Sequence, residues 1–133
     1  MTHEIIRPPD LATPSGFAHA VVSTGGRTVW LAGQTALDAE GSIVAAGDVV
    51  TQMDQALGNL LTALDAAGGR PEHLVSMTIY IVDVEDYQSR AREIGAVWRR
   101  RIGAHYPAMA GIGVARLWDA DALVEVAGVA VIN

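Results

Sequence analysis

A single carboxylate, Glu125, lies inside an otherwise apolar run near the C-terminus. The run covers residues 123–132 and is rich in β-branched residues, so it predicts a buried strand. A carboxylate in such a run loses its hydration, and it needs either a partner or a chemical use. Glu125 is therefore a candidate general acid or base. A structural acid satisfied by a local partner is the alternative.

The composition excludes several other chemistries. The sequence has no cysteine, which excludes thiol catalysis, thiolate metal sites and disulfides. All nine of its basic residues are arginine, and the lack of lysine excludes Schiff-base catalysis and a P-loop. The net charge of −6 argues against nucleic-acid binding. A nuclease would also need a histidine pair or a metal site, but His3, His19, His73 and His105 are scattered.

The length and the hydropathy indicate one domain over residues 1–133. Half of the residues are hydrophobic, which is enough for a core without metal or disulfide support. No apolar run approaches the roughly 20 residues of a membrane span. Residues 1–4 have no basic region followed by an apolar stretch, so we expect no signal peptide and a cytoplasmic location.

Two helices and several strands follow from the periodicity. Asp48 and Asp83 are the expected N-caps of the helices, and Gly68-Gly69 and Gly103 are their expected ends. The first ten residues read as an irregular lead-in, and residues 24–26 as the turn of a hairpin between the first two strands. Gly33-Gln34 interrupts the second of these strands. The predicted strands cover residues 18–23, 27–32, 73–82, 109–117 and 123–132.

This order of elements predicts an α+β fold, with two helices on one face of a mostly antiparallel sheet. The opposite face is too apolar to meet water, so we expect an oligomer. Trp30 and Trp98 read as packing residues, and Trp118 as a subunit contact. The run Arg99–Arg101 reads as solvated cations that compensate a helix dipole. Arg116 is expected to form a structural ion pair.

A set of short motifs, in order and spacing, resembles one family from about Ala18 to the end of the chain. The family is the Rid superfamily (reactive intermediate deaminases, or YjgF proteins). The motifs are Gly33-Gln34, Gly47-Asp48, Gln52, Asn59-Leu60, Ala67-Gly68, Thr78, Asp83, Tyr106-Pro107-Ala108, Val114-Ala115-Arg116-Leu117 and Val124-Glu125-Val126.

The resemblance implies a chorismate-mutase-like fold with a six-stranded sheet. Three subunits would join their sheets into a homotrimeric barrel with a cleft at each interface. Members of the RidA type hydrolyse enamines and imines without metal or cofactor. Ribonuclease activity has also been ascribed to the family.

Carried over position by position, the family site is altered in this sequence. Glu125, which positions or activates water in the family, and Gly33 are retained, and Gln34 adjoins them. The family's arginine, which grips the substrate carboxylate, is replaced by Met109, and a thioether cannot make that bidentate contact. The other expected cleft residues have lost polar groups. They are Phe17, Ala91 and Gly111.

Two functions remain open at this point. One is hydrolysis or deamination of a small, relatively apolar enamine or imine by a water that Glu125 activates, with backbone groups near Gly33 and Gly111 holding developing charge. The other is a binding or regulatory trimer that holds a small molecule without chemistry. A local structural role is the simpler interpretation of His19 and His105.

Overall fold

Three α-helices cover one face of a four-stranded sheet in the computed structural model, which describes residues 3–133. A short 3₁₀ turn at Pro71–His73 precedes the fourth strand. None of the helices in these residues has the length and apolar character that a membrane span requires. The elements in chain order are β1 (Glu4–Ile6), β2 (Ala20–Val22), β3 (Arg27–Gln34), α1 (Val49–Ala66), β4 (Leu74–Ile81), α2 (Val84–Ser89), α3 (Ala91–Arg101), β5 (Ala108–Gly113) and β6 (Val124–Ile132).

The strand order in the main sheet is β3-β6-β4-β5, and β1 and β2 form a separate antiparallel pair. Strand β6 runs antiparallel to β3 and β4, whereas β5 runs parallel to β4. The α+β class is confirmed and most of the strand pairings are antiparallel, but the six described strands form two sheets rather than the expected single one. The crossover through α2 and α3 returns the chain to the end of the sheet where β4 began, which makes β5 parallel.

The predicted hairpin between the first two strands is also wrong. The turn is present, with φ of +72° at Gly25 and +80° at Gly26, but it passes the chain from one sheet to the other. Strand β2 pairs with β1, which forms within the predicted irregular lead-in. Strand β3 pairs with β6 and continues through Gln34 with a bulge. The first two residues of the lead-in lie outside the described residues.

Helix α1 begins and ends where the sequence predicts and anchors the start of β6. The Asp48 carboxylate caps it by accepting from the Val50 and Thr51 amides at 3.1 and 3.4 Å. Gln52 lies fully buried in its first turns. The Gln52 amide donates to Asp121 O at 3.0 Å, and its Oε1 accepts from Leu123 N at 2.8 Å. This pair of bonds fixes the chain just before the strand that carries Glu125.

The predicted second helix is two helices, α2 and α3, that meet at Arg90. Arg90 has φ −106° and ψ 18°, outside the helical range. The Ser89 hydroxyl donates to Asp86 O at 2.7 Å, and such side-chain bonds to the preceding turn bend helices. Strand β5 ends at Gly113 rather than at residue 117, so Arg116 lies beyond it.

The basic run at the end of α3 binds α1 instead of only facing water. Arg101 Nε lies 2.7 Å from Asp54 Oδ1, and Arg100 Nη1 lies 2.9 Å from the same oxygen. Burial of the Asp54 carboxyl opposes its ionisation, but the hydrogen bonds from the two guanidinium groups outweigh burial and lower its pKa. The interpretation as purely solvated cations is therefore wrong for these two arginines.

Replacing Asp54 by Asn should lower the free energy of unfolding at pH 7 by about 1 kcal/mol, after allowance for solvent screening. The folded-state pKa lies below the ordinary value of 3.8, so this contribution is complete above about pH 5 and is lost as the pH falls through the folded-state pKa. Urea unfolding at pH 7 and pH 3 measures the difference. The matched control is Asp65→Asn, which changes an exposed carboxylate on the same helix. Equal effects of the two variants at pH 7 would mean that the ion pairs of Asp54 with Arg100 and Arg101 do not stabilise the fold.

Candidate functional site

The first residues of strand β6 alternate between buried and half-buried positions, and this alternation decides where Glu125 lies. Val124 and Val126 are fully buried beneath the helices. Glu125 pairs with Tyr80 of β4 and therefore lies on the face that no helix covers. In the single chain it is half-buried, so the full desolvation expected from the sequence is wrong for the chain alone. Its carboxylate accepts no hydrogen bond from residues 3–133.

Gly33 gives the Glu125 side chain its place against the backbone of β3. The register of β3 on β6 shifts between Leu31 and Gln34, and the bulge brings Gly33 beside the carboxylate. A Cβ at residue 33 would overlap the Glu125 carboxylate oxygen, so only glycine permits this approach. Gln34 pairs with Val126 instead and lines a groove over α1 with Asn59 and Leu37.

The uncovered face of the sheet forms a shallow hollow of about 480 Å³. Trp30 lies on it with 79% of its surface exposed, so its assignment as a packing residue is wrong in the single chain. Ser76 and Thr78 supply hydroxyl groups, and Ala127 and Val129 continue the face of Glu125 along β6. The face is as apolar as the sequence predicts.

Met109 lies on the other face of the sheet. It pairs with Met77 in the parallel ladder, and it packs against the helical core. There it lines a cavity of about 380 Å³ together with Ala91. Phe17 adjoins Met109 in a neighbouring hollow and stacks edge-on against His19 with the ring centroids 5.1 Å apart. Gly111 follows on the exposed edge strand, where a Cβ added to it would lie 3.7 Å from Ile81 Cδ1.

The cavity is built largely by residues that the sequence did not single out for a site. The rings of Trp98 and Tyr106 stack in parallel with their centroids 5.6 Å apart and form one wall. Tyr87 forms another wall, and burial raises the pKa of its hydroxyl. The sequence predicts Trp98 only as a packing residue. The available signal was the hydroxyl of Tyr87, a polar group on a side chain that packs against the core.

The predicted site residues therefore divide into two groups within one chain. Glu125 and Gly33 meet on the uncovered face, whereas Met109, Ala91 and Phe17 gather on the side of β5 toward the helices. Because strand pairing assigns Glu125 and Met109 to opposite faces, the chain alone does not bring them together.

Comparison with known proteins identifies the family. The family profile described as endoribonuclease L-PSP matches residues 9–132. The RutC family protein slr0709 of Synechocystis is 33% identical and covers 99% of this chain and 98% of its own. YyfB of Yersinia pestis, a Rid-family structure of unknown function, is 32% identical with a TM-score of 0.88, and the match covers 99% of this chain and all of YyfB. The chain belongs to the Rid family. A relative from Dermatophagoides farinae, named 2-iminobutanoate/2-iminopropanoate deaminase, is 27% identical over 97% of this chain and 96% of its own.

The histidines of this Rid protein have local structural partners. His105 Nε2 donates to Leu74 O at 2.7 Å, and His19 Nε2 donates to Ala12 O at 2.8 Å. Within residues 3–133, no group of three or more His, Asp or Glu side chains is close enough to hold a metal ion. Both histidines thus position loops near the cavity.

The β5–β6 turn of this Rid protein is exposed. Arg116 donates to Leu117 O at 3.2 Å and to Trp118 O at 3.5 Å, and it pairs with no carboxylate of the described chain, so the predicted ion pair is wrong. The strand ends before Arg116, and its side chain folds back on its own turn. Trp118 is 91% exposed.

The close approach of Gly33 and Glu125 in this Rid protein can be tested by a double-mutant cycle. Gly33→Ala should lower the free energy of unfolding by at most about 1 kcal/mol, because the added methyl group displaces only the end of the flexible Glu125 side chain. In a Glu125→Ala background the same change should cost much less, and urea unfolding of the four proteins measures the coupling. Additive effects would mean that the two residues do not touch.

Proposed function

We propose that this Rid-family protein is a cytoplasmic homotrimer that hydrolyses a small, relatively apolar enamine or imine. The observation that carries the proposal is the position of Glu125. It is the one acidic residue in the four strands of the main sheet, it lies against Gly33, and its carboxylate has no hydrogen-bond partner among residues 3–133. Such a group is available to a water molecule.

The uncovered sheet face supports the trimer. One face is already occupied by helices, and the other leaves Trp30 and Ile112 with 79% and 44% of their surfaces exposed. Burial of such a face against copies of the same chain removes an apolar surface from water. In a cyclic assembly, Glu125 of one protomer faces the Met109 cavity of the next. Two protomers then complete a cleft that one chain leaves divided.

The proposed reaction needs only water and proton transfer. Glu125 takes a proton from water as the water oxygen bonds to the imine carbon, and the nitrogen gains a proton as the C=N bond becomes single. The carbinolamine nitrogen takes up the proton that Glu125 accepted from water, and its C–N bond breaks as the hydroxyl gives its proton back to Glu125, which then releases it to solvent. The products are a ketone and ammonia. An enamine enters the same path after protonation at carbon.

The replacement of the family arginine by Met109 sets the substrate class. Relatives named 2-iminobutanoate/2-iminopropanoate deaminases are named for acids that carry a carboxylate. Met109 offers no cation for such a group, and a carboxylate buried beside it would lose its hydration without compensation. The substrate we propose is therefore uncharged.

A trimer that binds a small molecule without chemistry is the second candidate. One observation favours it: no described side chain donates to Glu125, so nothing in the chain orients the carboxylate for proton transfer. In that case a bound ligand is recovered intact after long incubation.

Glu125→Gln should reduce ammonia release from a neutral ketimine by about 10²–10⁴-fold, because the amide cannot accept the proton from water. Ketimines of acetone and acetophenone, generated in the assay, are the substrates, and ammonia is measured by a coupled dehydrogenase. Size-exclusion chromatography with light scattering should give a trimer for both proteins. Glu72→Gln, an exposed glutamate, is the control, and undiminished turnover in Glu125→Gln would contradict the catalytic role.

The native protein should act on 2-iminopropanoate, generated from alanine by an amino-acid oxidase, at least about tenfold more slowly than on the acetone ketimine. The reason is that a carboxylate at Met109 has no charge-assisted partner. Comparison of kcat/KM for the two substrates measures this preference. Equal values would mean that another residue replaces the lost arginine.

A further inference from the structure

The cavity beside Met109 has a composition that limits what can occupy it. Its volume of about 380 Å³ is at the low end of the range for small-molecule sites, which suits a group of one ring. No charged residue lines it. The lining residues are Ser15, Gly16, Met53, Ile79, Tyr87, Ala91, Ile94, Gly95, Trp98, Tyr106 and Met109.

The geometry of the walls favours a flat group. Trp98 and Tyr106 lie parallel, with 5° between their ring planes, so they present a planar surface. Ala91 and Gly95 are four residues apart on α3 and share a face, and their small side chains leave room beside the rings. Met109 supplies a flexible thioether, which adapts to aromatic groups.

Tyr87 supplies a polar group at this apolar cavity, which is open to solvent and whose other hydroxyl groups belong to Ser15 and Tyr106. Its ring packs against the core, and its hydroxyl makes no hydrogen bond with residues 3–133. Burial raises the pKa of this hydroxyl, so it stays protonated and can donate. The Trp98 indole N–H is different, because it already donates to His105 O at 3.1 Å.

We propose that this cavity holds the ring of an uncharged aryl or cycloalkyl ketimine, and that the Tyr87 hydroxyl donates a hydrogen bond to the nitrogen or oxygen at the reacting carbon. The inference rests on the proposed function and narrows its substrate class. Acetophenone is then an analogue of the ketone product. Its phenyl ring fits the cavity, and its carbonyl accepts from Tyr87.

The test uses the full-length protein with ¹³C-labelled methionine methyl groups. Met53 and Met109 line the cavity, whereas Met77 does not. Titration with acetophenone should shift the signals of Met53 and Met109 and leave that of Met77 in place. Benzoate, which keeps the ring but carries a charge, should bind at least about tenfold more weakly. Absence of shifts at both cavity methionines, or benzoate binding as tight as that of acetophenone, would overturn the proposal.

Two comparisons, one of variants and one of ligands, separate the contribution of the cavity space from that of the Tyr87 hydroxyl. Ala91 and Ala96 are both exposed residues of α3, but only Ala91 lines the cavity, so Ala91→Leu narrows it whereas Ala96→Leu adds the same atoms outside it. We expect at least a tenfold loss of acetophenone affinity in the first and no change in the second. Tyr87→Phe should weaken acetophenone roughly three- to tenfold and leave toluene, which has no acceptor, unchanged. Equal losses for both probes would overturn the role of the hydroxyl.

The same variants distinguish this inference from the proposed hydrolysis. If acetophenone binds and Ala91→Leu blocks it, but no ketimine is ever hydrolysed, the catalytic proposal fails and the cavity assignment stands. If ketimines are hydrolysed with kcat and KM unaffected by Ala91→Leu and Tyr87→Phe, the cavity assignment fails and the catalytic proposal stands.

Discussion

The register of β6 is the constraint on which the rest of the molecule depends. Val124, Val126 and Ala130 are fully buried on the side of the helices, so the core fixes which face of the strand points inward. Since side chains alternate along a strand, Glu125 must then point outward. A slip of one residue would bury the carboxylate under α1 and expose the valines. The bonds from Gln52 to the chain before β6 oppose such a slip.

This constraint has a cost for a single chain. Met109 is held on the inner face by its pairing with Met77, and Glu125 is held on the outer face by the same sheet. No side-chain rotation joins them, because the sheet itself lies between. A cleft that uses both must take the carboxylate from one protomer and the cavity from another. In the proposed trimer, the apolar outer face would give the driving force for that association, so assembly and site completion would be the same event.

The strongly periodic elements were predictable from the sequence, and those that depend on distant partners were not. Helix α1 and strands β4 and β6 carry long apolar patterns, each of which fits only one type of secondary structure. By contrast, β1 has only three residues, and the pairing of β2 with β1 instead of β3 depends on the path of the chain after Gly26. The parallel direction of β5 follows from the crossover through α2 and α3. The break between these helices at Arg90 depends on the hydrogen bond from the Ser89 hydroxyl to Asp86 O, which the apolar periodicity does not reveal.

The site was predictable to a similar degree. Glu125 stands out because a charged residue interrupts an apolar run, and Gly33 because of its family resemblance. The cavity could not be found in this way. Its walls come from all three helices, β4, β5 and the segment before β2, and only their packing makes Tyr87 and Tyr106 lining residues. Residues that the sequence predicts to be core become cavity lining where the core is incomplete.

A glutamate at residue 125 and a methionine at residue 109 have one common electrostatic consequence for the proposed cleft. An ionised carboxylate near an apolar wall of low dielectric repels an anion strongly, because little solvent screens the interaction. A carboxylate-bearing substrate in such a cleft would need a fixed cation to offset both this repulsion and its own desolvation. With methionine at residue 109, the proposed cleft would favour a neutral substrate, whose nitrogen becomes positively charged only as it takes up a proton. In the proposed reaction Glu125 stabilises that positive charge as it develops, whereas a guanidinium at residue 109 would oppose it.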